Sequence, residues 1–594
     1  MKVTAYDTYK IPTLSGGMVL SISNQLLEHT RGFSTMFKNL DPSMLGLSKK
    51  RPAVVLSSEG FTPGSGYITG LHYFKRQEED KEYLVCATDT QVAAFDYEDE
   101  SWGLIEDNLS NKFVYFITLA DQLIYTNGVG TIRSWSDGLK SDLGARKASM
   151  RTYLLYANND LKFTAKNPGE TFIKVQYVKA ASKTTSTSVV VSGSGTEEAP
   201  YSILVNLAWN DEKILSKASQ VKSAIEAHST AKTIVDVSYP SDSDGTREVT
   251  EMAERMLTGG YNAVKGKYLI EYRTRAVVAD KNKLHVSHTG DPHLWSPGAT
   301  GSNAMDVFVS PDDGEEISGL LNMGDGGILI GKPNSLYGLF GYKRDNFVVD
   351  LLDPSVGVSS HRTMIFSRPY AYWVWNTGVY RSQSGGTPER ISYPIQELLD
   401  DIVDTNRIEE SSALLYKRLY VLSLPLIGGG FVVVTFHLDH ECWGLWTEPE
   451  GLVDVTVNNG QLIFAMRGLI TPARFAEDVF IDEHTEEIIS SEITTIELDL
   501  GFPENEKDIG DLYLLFRGTG NPFCVDIDVF TDGCNKPSVT ARDVELSGNE
   551  GMQVVLRLTV GKTARFIQLS VRNNLDQQIC PVSMSYTYQI KDVL

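Results

Sequence analysis

The chain repeats itself at intervals of about fifty residues, and that rhythm limits the folds open to it more than any other feature. The repeated unit is an apolar strand, a polar turn and a second strand, often closing on an aromatic residue. Copies begin at Gly66 (GYITGLHYFKRQEEDKEYLVCATDTQVAAFDYEDESW), Phe113 (FVYFITLADQLIYTNGVGTIRSW), Tyr268 (YLIEYRTRAVVADKNKLHVSHTGDPHLW) and Ile317 (ISGLLNMGDGGILIGKPNSLYGLFG). They continue from Thr363 (TMIFSRPYAYWVWNTGVYRS), Ser412 (SALLYKRLYVLSLP, then FVVVTFHLDHECWGLW) and Leu452 (LVDVTVNNGQLIFAMRG). The first pair starts 47 residues apart and the later ones 49, 46, 49 and 40 apart, which is the size of a propeller blade. One such sheet cannot bury both of its faces, so sheets stack around an axis and cover each other. The expectation is a mainly β chain built on a β-propeller of six to eight blades. The competing arrangement is an unrelated series of hairpins in a sandwich.

Between the second and third units the pattern changes. LKFTAK, FIKVQYV, TSVVVS and SILVNLA read as strands. SKASQVKSAIEAH places Val221, Ala224 and Ile225 on one helical face. TREVTEMAERMLTGG places Val249, Met252, Ala253 and Met256 at i, i+3, i+4, i+7 before Gly259 and Gly260, and so predicts a second helix. This is a small inserted α+β domain. Beyond about residue 485, TTIELDLG, DLYLLFRG, FCVDIDVFTDG, MQVVLRLTV, RFIQLSVRNN and VSMSYTYQI alternate in twos. In VDIDV, Val525, Ile527 and Val529 face one way and Asp526 and Asp528 the other, as in a C-terminal β-sandwich. The expected organisation is an N-terminal arm and propeller entry (1–65), blades (66–157), the insert (158–262), further blades (263–484) and the sandwich (485–594).

At 594 residues, with 42% hydrophobic and 22% charged residues, the chain is expected to fold throughout. It holds no run of about 18 apolar residues, and MKVTAYDTYKIPTLSGG lacks a signal-peptide pattern, so a soluble protein made in a cytoplasm is expected. Cys86, Cys442, Cys524, Cys534 and Cys580 are scattered and odd in number, which reads as free buried thiols and not as a disulfide framework or zinc cluster. The net charge of −22 argues against gripping nucleic acid through its phosphates, yet an acidic wall would let DNA slide past.

No stretch declares a catalytic, cofactor or metal site. His285, His288 and His293 crowd around Asp291 in LHVSHTGDPHLWSP, but the period of two points His285 and His288 to opposite faces. Asp291 and Pro292 then form a turn, and Trp295 packs where the blade closes. SPDDGEEI is one imperfect copy of a sialidase-type turn, and Arg273, Arg275, Arg362 and Arg368 have no spacing that marks a carboxylate-binding cluster. The glycines near Lys332 lack the phosphate-loop pattern, and GGG at 428–430 reads as a hairpin. Asp526 and Asp528 read as a solvated strand face in preference to a calcium site.

Several segments resemble the tail nozzle (tail tubular) proteins of short-tailed bacteriophages. NLDPSMLGLSKKRPAVV, from Asn39 to Val55, is similar to the family's opening, with its basic-Arg-Pro step. YLIEYRTRAVVADKNKLHVSHTGDPHLWSP looks like its blade signature, and VFVSPDDGEEISGLLNMGDGGILIGKPNSLYGLFG like the unit that follows, with Asp313, Gly314 and Glu315 ahead of the strand. NDLKFTAKNPGETFIKVQYV, SQVKSAIEAH and TIVDVSY resemble a small module of phage structural proteins, and GKTARFIQLSVRNN with SMSYTYQI the closing sandwich. The chain departs from the pattern at the charged RQEEDKEY turn and at Ala53, where a glycine often stands.

The resemblance implies a non-enzymatic virion protein, assembled in the host cytoplasm. Its copies form a ring, a homohexamer, below the portal and adaptor and next to tail fibres or spikes. Phage DNA passes through that ring without sequence-specific binding, along a lumen expected to carry the acidic excess. The alternative is a receptor- or glycan-binding propeller at the tail tip, with Tyr370, Tyr372, Trp373 and Trp375 stacking on sugars. A glycoside hydrolase is disfavoured.

Overall fold

A computed structural model describes residues 6–20, 33–44, 47–57, 66–110, 113–136, 138–169, 171–296 and 300–591. The chain is mainly β, with a propeller-like arrangement of small antiparallel sheets. Each fifty-residue unit supplies one up-and-down run of four strands: 68–106, 115–142, 268–308, 319–353, 365–390, 412–446 and 452–476, the last completed by Ala53–Leu56.

The burial pattern explains why these runs assemble. Second strands such as Arg275–Asp280, Ile328–Gly331 and Leu419–Pro425 are apolar on both faces and almost wholly buried, whereas the outer strands Leu139–Asp142 and Val348–Asp353 lie mostly exposed. A strand buried on both faces needs a sheet on either side. Every gap between neighbouring sheets holds apolar residues, and those between the fifth and sixth sheets are continuous with the C-terminal core. Phe74 and Val85 meet Leu123 and Tyr125; Ile117 and Ile124 meet Leu269 and Val278; Tyr272 and Val277 meet Ile328 and Leu339. Leu329 and Leu336 meet Ala371 and Trp373, Tyr372 and Val374 meet Tyr420 and Leu422, and Leu414 and Val421 meet Phe464 and Met466. Leu71 and Leu84 of the first sheet meet Ile463 of the seventh. The first strands follow the same order, each touching the next, and Leu452–Asn458 touches Ile68–Arg76.

The inserted segment contains a three-stranded sheet, Lys147–Arg151, Lys162–Pro168 and Val235–Ser238, and a four-stranded mixed sheet around the parallel pair Ile173–Lys179 and Tyr201–Leu207. Helix Ala218–Ala227 buries Val221 and Ile225 of the expected face together with Ala218, while Ala224 is only half-buried. The second expected helix does not form. Met252–Met256 is a strand paired antiparallel with Ile173–Lys179, and of the four residues expected on one helical face, Val249 and Met252 are buried while Ala253 and Met256 are exposed. The open edge of Ile173–Lys179 satisfies the backbone there, and that tertiary pairing outweighs a local 3.6-residue period.

The C-terminal residues form two layers. Lys507–Arg517, Gln553–Ala564 and Pro581–Ile590 make one with Asp7–Ile11. Ser491–Thr495, Ile567–Asn573, Phe523–Thr531 and Val539–Leu546 make the other, and Leu512, Leu514 and Phe516 pack against Val525, Ile527 and Val529 between them. Asp528, expected on a solvated face, is buried, because the Arg542 and Arg572 guanidinium groups donate to its two oxygens. Ser34–Lys38 lies between Cys442–Trp446 of the sixth sheet and Ser491–Thr495, so these strands form one nine-stranded sheet. The N-terminal arm therefore supplies strands to both C-terminal layers and to the seventh sheet; of its 65 residues, 1–5, 21–32, 45–46 and 58–65 lie outside the described ones. Cys86, Cys442 and Cys580 are buried free thiols, but Cys534 is exposed at its turn and Cys524 only half-buried, which corrects the expectation for those two.

Candidate functional site at the axial hub

All seven sheets converge on one short 3-10 helix, His361–Thr363, which precedes the fifth. The Arg362 guanidinium donates to the carbonyls of Val453, Thr69 (2.6 Å) and Val114 (3.3 Å), in or beside the first strands of the seventh, first and second sheets. It lies over the rings of Phe113 (4.2 Å) and Tyr115 (5.2 Å). His361 packs on Tyr268 of the third sheet with centroids 4.7 Å apart, and its Nδ1 accepts the Leu320 N–H of the fourth at 3.1 Å. From the sixth, the Tyr420 hydroxyl donates to the Thr363 carbonyl at 2.8 Å, and the Ser360 hydroxyl donates to the Ser411 carbonyl at 2.6 Å. First strands present backbone carbonyls toward the axis, and a five-donor planar cation is suited to collecting them.

The hub divides the axis into two chambers. One is a cavity of about 390 Å³ lined by Leu71, Ile117, Leu269, Leu321 and Asp454. Loss of water pushes the Asp454 carboxyl up, with Arg362 opposing, while the carboxylate accepts the Leu71 and Val455 N–H groups at 2.9 and 3.0 Å. The other is a funnel of about 1380 Å³ at the end where the first strands begin. Its wall carries Asp89, Glu316, Glu409, Glu410, Glu448 and Glu450 against Lys267 and Arg467, with Tyr67, Phe113, Tyr115, Tyr268 and Phe431 between them.

Burial dominates the titration of the hub. Desolvation, then Arg362 and Lys267, pull His361 down to about 3, which keeps it the neutral acceptor that Leu320 requires. Desolvation pushes Tyr115 up to about 12. Tyr268 is raised first by desolvation and then by Glu409 and Glu316. His484 is raised, chiefly by its hydrogen bond to Glu448 at 3.2 Å.

The histidines that open the question of a metal site take separate partners: His285 Nδ1 meets Asp306 (2.6 Å), His288 Nδ1 the Thr289 carbonyl (2.9 Å) and His293 Nε2 Gln122 (2.8 Å). Trp295 donates to the Pro292 carbonyl at 2.6 Å and packs between the second and third sheets. The four arginines do not form a cluster. Arg275 is buried on the carbonyls of Ser287, Gly301 and Asn303; Arg273 and Arg368 lie at the surface beside Asp325; only Arg362 reaches the axis. Lys332 is a buried ion-pair partner of Asp313 at 2.7 Å and thus pins the SPDDG turn. Trp373 and Tyr372 are buried in the gaps beside the fifth sheet, and the Trp375 indole donates to the Pro333 carbonyl, so the YAYWVW strand offers no broad aromatic surface to a sugar.

In the sequence Arg362 is one of four arginines with no spacing that sets it apart. A usable signal was nearby: Lys267, Glu316, Glu409 and Glu450 each stand just ahead of a first strand, the position that faces the axis mouth.

No family model matches this chain, and no curated protein matches it. Among solved structures, U3-55K is 8% identical, with 71% of this chain and 98% of that one covered and a TM-score of 0.32. Kluyveromyces lactis Hsv2 is 8% identical, with 64% and 97% covered and a TM-score of 0.26. PorZ of Porphyromonas gingivalis is 11% identical, with 70% and 53% covered and a TM-score of 0.22. At scores this far below 0.5 none of these bears on function. Among the described residues no helix is long and apolar enough to cross a membrane.

Proposed function

We propose that the seven sheets are the blades of a closed propeller, and that the chain is a structural virion protein forming the lower tail tube of a short-tailed phage. In this reading six copies make a ring below the portal and adaptor, and DNA leaves through the lumen between them.

The observation that carries the proposal is the nine-stranded sheet in which Ser34–Lys38 ties the sixth blade to the C-terminal layers. That sheet, with the apolar core shared by the fifth and sixth sheets and the C-terminal layers, joins the propeller and the terminal unit into one wedge. Rigid wedges joined by one repeated, head-to-tail interface close into rings when the rotation fits. The Arg362 hub supports the same reading, because it blocks the propeller's own axis between the two chambers and leaves only a passage between subunits for a duplex. The excess of 76 acidic over 54 basic residues suits a wall that DNA slides along.

The test is electron microscopy of the purified protein, alone and mixed with portal and adaptor. Rings with an open centre support the proposal, and particles that stay single under both conditions refute it.

A further inference from the structure

We propose that the axial funnel is a docking site for a basic peptide segment of a partner protein, with a Lys or Arg side chain seated between its aromatic and acidic walls. The inference is independent of ring formation.

The funnel, at about 1380 Å³, exceeds the roughly 300–1,000 Å³ of small-molecule pockets and suits a length of chain. Its wall already shows how it holds cations: Lys267 lies 5.0 Å from the Tyr268 ring centre, and Arg467 lies 5.5 and 5.3 Å from those of Phe113 and Phe431. Three carboxylates are committed internally. Glu410 pairs with Arg467 and Arg407, Glu448 with His484, and Glu450 accepts the Phe431 N–H. Glu316 and Glu409 make no ion pair among the described residues, although both act on the Tyr268 hydroxyl. Two unpaired carboxylates in a concave wall concentrate a field that favours incoming cations.

Unmet hydrogen bonds on the same wall suit a peptide. Asp89 Oδ1 is a buried acceptor without a donor, and His484, nine-tenths buried, holds Glu448 through Nε2 and leaves Nδ1 without a partner among the described residues. Asp89 Oδ1 takes a donor, and His484 Nδ1 takes a donor while the ring is neutral and an acceptor when it is protonated; a peptide backbone carries both kinds of group, whereas a polyammonium ion carries donors alone.

The experiment uses the full-length protein and fluorescence anisotropy with a labelled octapeptide of alternating lysine and glycine. Competitors are an equal-length glutamate–glycine peptide and spermidine. The Glu316→Gln/Glu409→Gln double variant is expected to weaken binding at least tenfold without moving the unfolding midpoint. Asp99→Asn/Glu100→Gln, on an exposed hairpin outside the funnel, is expected to leave binding unchanged. Spermidine at equal charge is expected to compete poorly. Binding that survives the double variant, equal loss in the surface control, equal competition by spermidine, or preference for the glutamate peptide would each overturn the proposal.

Discussion

Arg51 and Asp482, 431 residues apart in the chain, form a two-pronged ion pair at 3.0 and 2.5 Å, with side chains 0% and 5% exposed. The guanidinium also donates to Asn39 and Thr447, so one residue of the N-terminal arm joins the last turn of the sixth sheet to the segment that follows the seventh. Removing one partner of such a pair strands a buried charge. Arg51→Met or Asp482→Asn should cost about 3–5 kcal/mol, read from denaturant midpoints. The double variant Arg51→Met/Asp482→Leu should lose less than the sum of the single changes, because no lone charge remains.

The hub makes a separate prediction. Arg362→Met keeps much of the side-chain bulk but leaves three carbonyls without their donor, at roughly 1–3 kcal/mol for each one that water does not reach. Lowered stability with unchanged secondary structure in circular dichroism is the expected result. A neutral effect would mean that the axis is wet.

Stability should fall on mild acidification. Desolvation holds His72 and His437 at about 4 and His361 at about 3, against about 6.5 in an unfolded chain. From about pH 6.5 down to about pH 4 the unfolded state binds protons that the folded state refuses, so folding weakens. His437 Nδ1 accepts the Asp439 and His440 N–H groups, and His437→Gln should flatten that slope. His484 has the opposite sign. Its raised value gives stability that is full below about pH 6.5 and lost as pH climbs through the folded value, so His484→Gln should remove a decline on the alkaline side. Unfolding midpoints at pH 4.5, 6 and 8 distinguish the two.

Deleting residues 1–38 should expose two sheet edges at once: that of Pro581–Ile590, now covered by Asp7–Ile11, and the seam between Cys442–Trp446 and Ser491–Thr495, now filled by Ser34–Lys38. Bare edges invite pairing between chains. Size-exclusion chromatography should show aggregates in place of the wild-type species.

The repeated sheets were legible because six of the seven are local objects, four strands in sequence with apolar residues recurring at the spacing that a buried strand demands, while the seventh borrows Ala53–Leu56. Their first strands begin within two residues of the positions where the repeats start, as at Ile68, Tyr115, Gly319 and Ile365. The arm was not legible, since Ser34–Lys38 finds its neighbours more than 400 residues away and no local pattern encodes that pairing. The segment 246–260 misled for the related reason that its helical period is local, while the free edge of Ile173–Lys179 that captures it is not. Arg362 stayed hidden among unremarkable arginines because its role depends on where seven chain segments meet. The funnel carboxylates, separate in sequence, become a site only around the axis.

Electron microscopy of the purified protein with the proposed portal and adaptor partners tests the structural reading most directly. Closed rings of about six subunits, each a filled propeller fused to its terminal layers around a shared open lumen, are the expected view. Subunits that remain single in the presence of those partners, or DNA density running through an individual propeller axis, would contradict it.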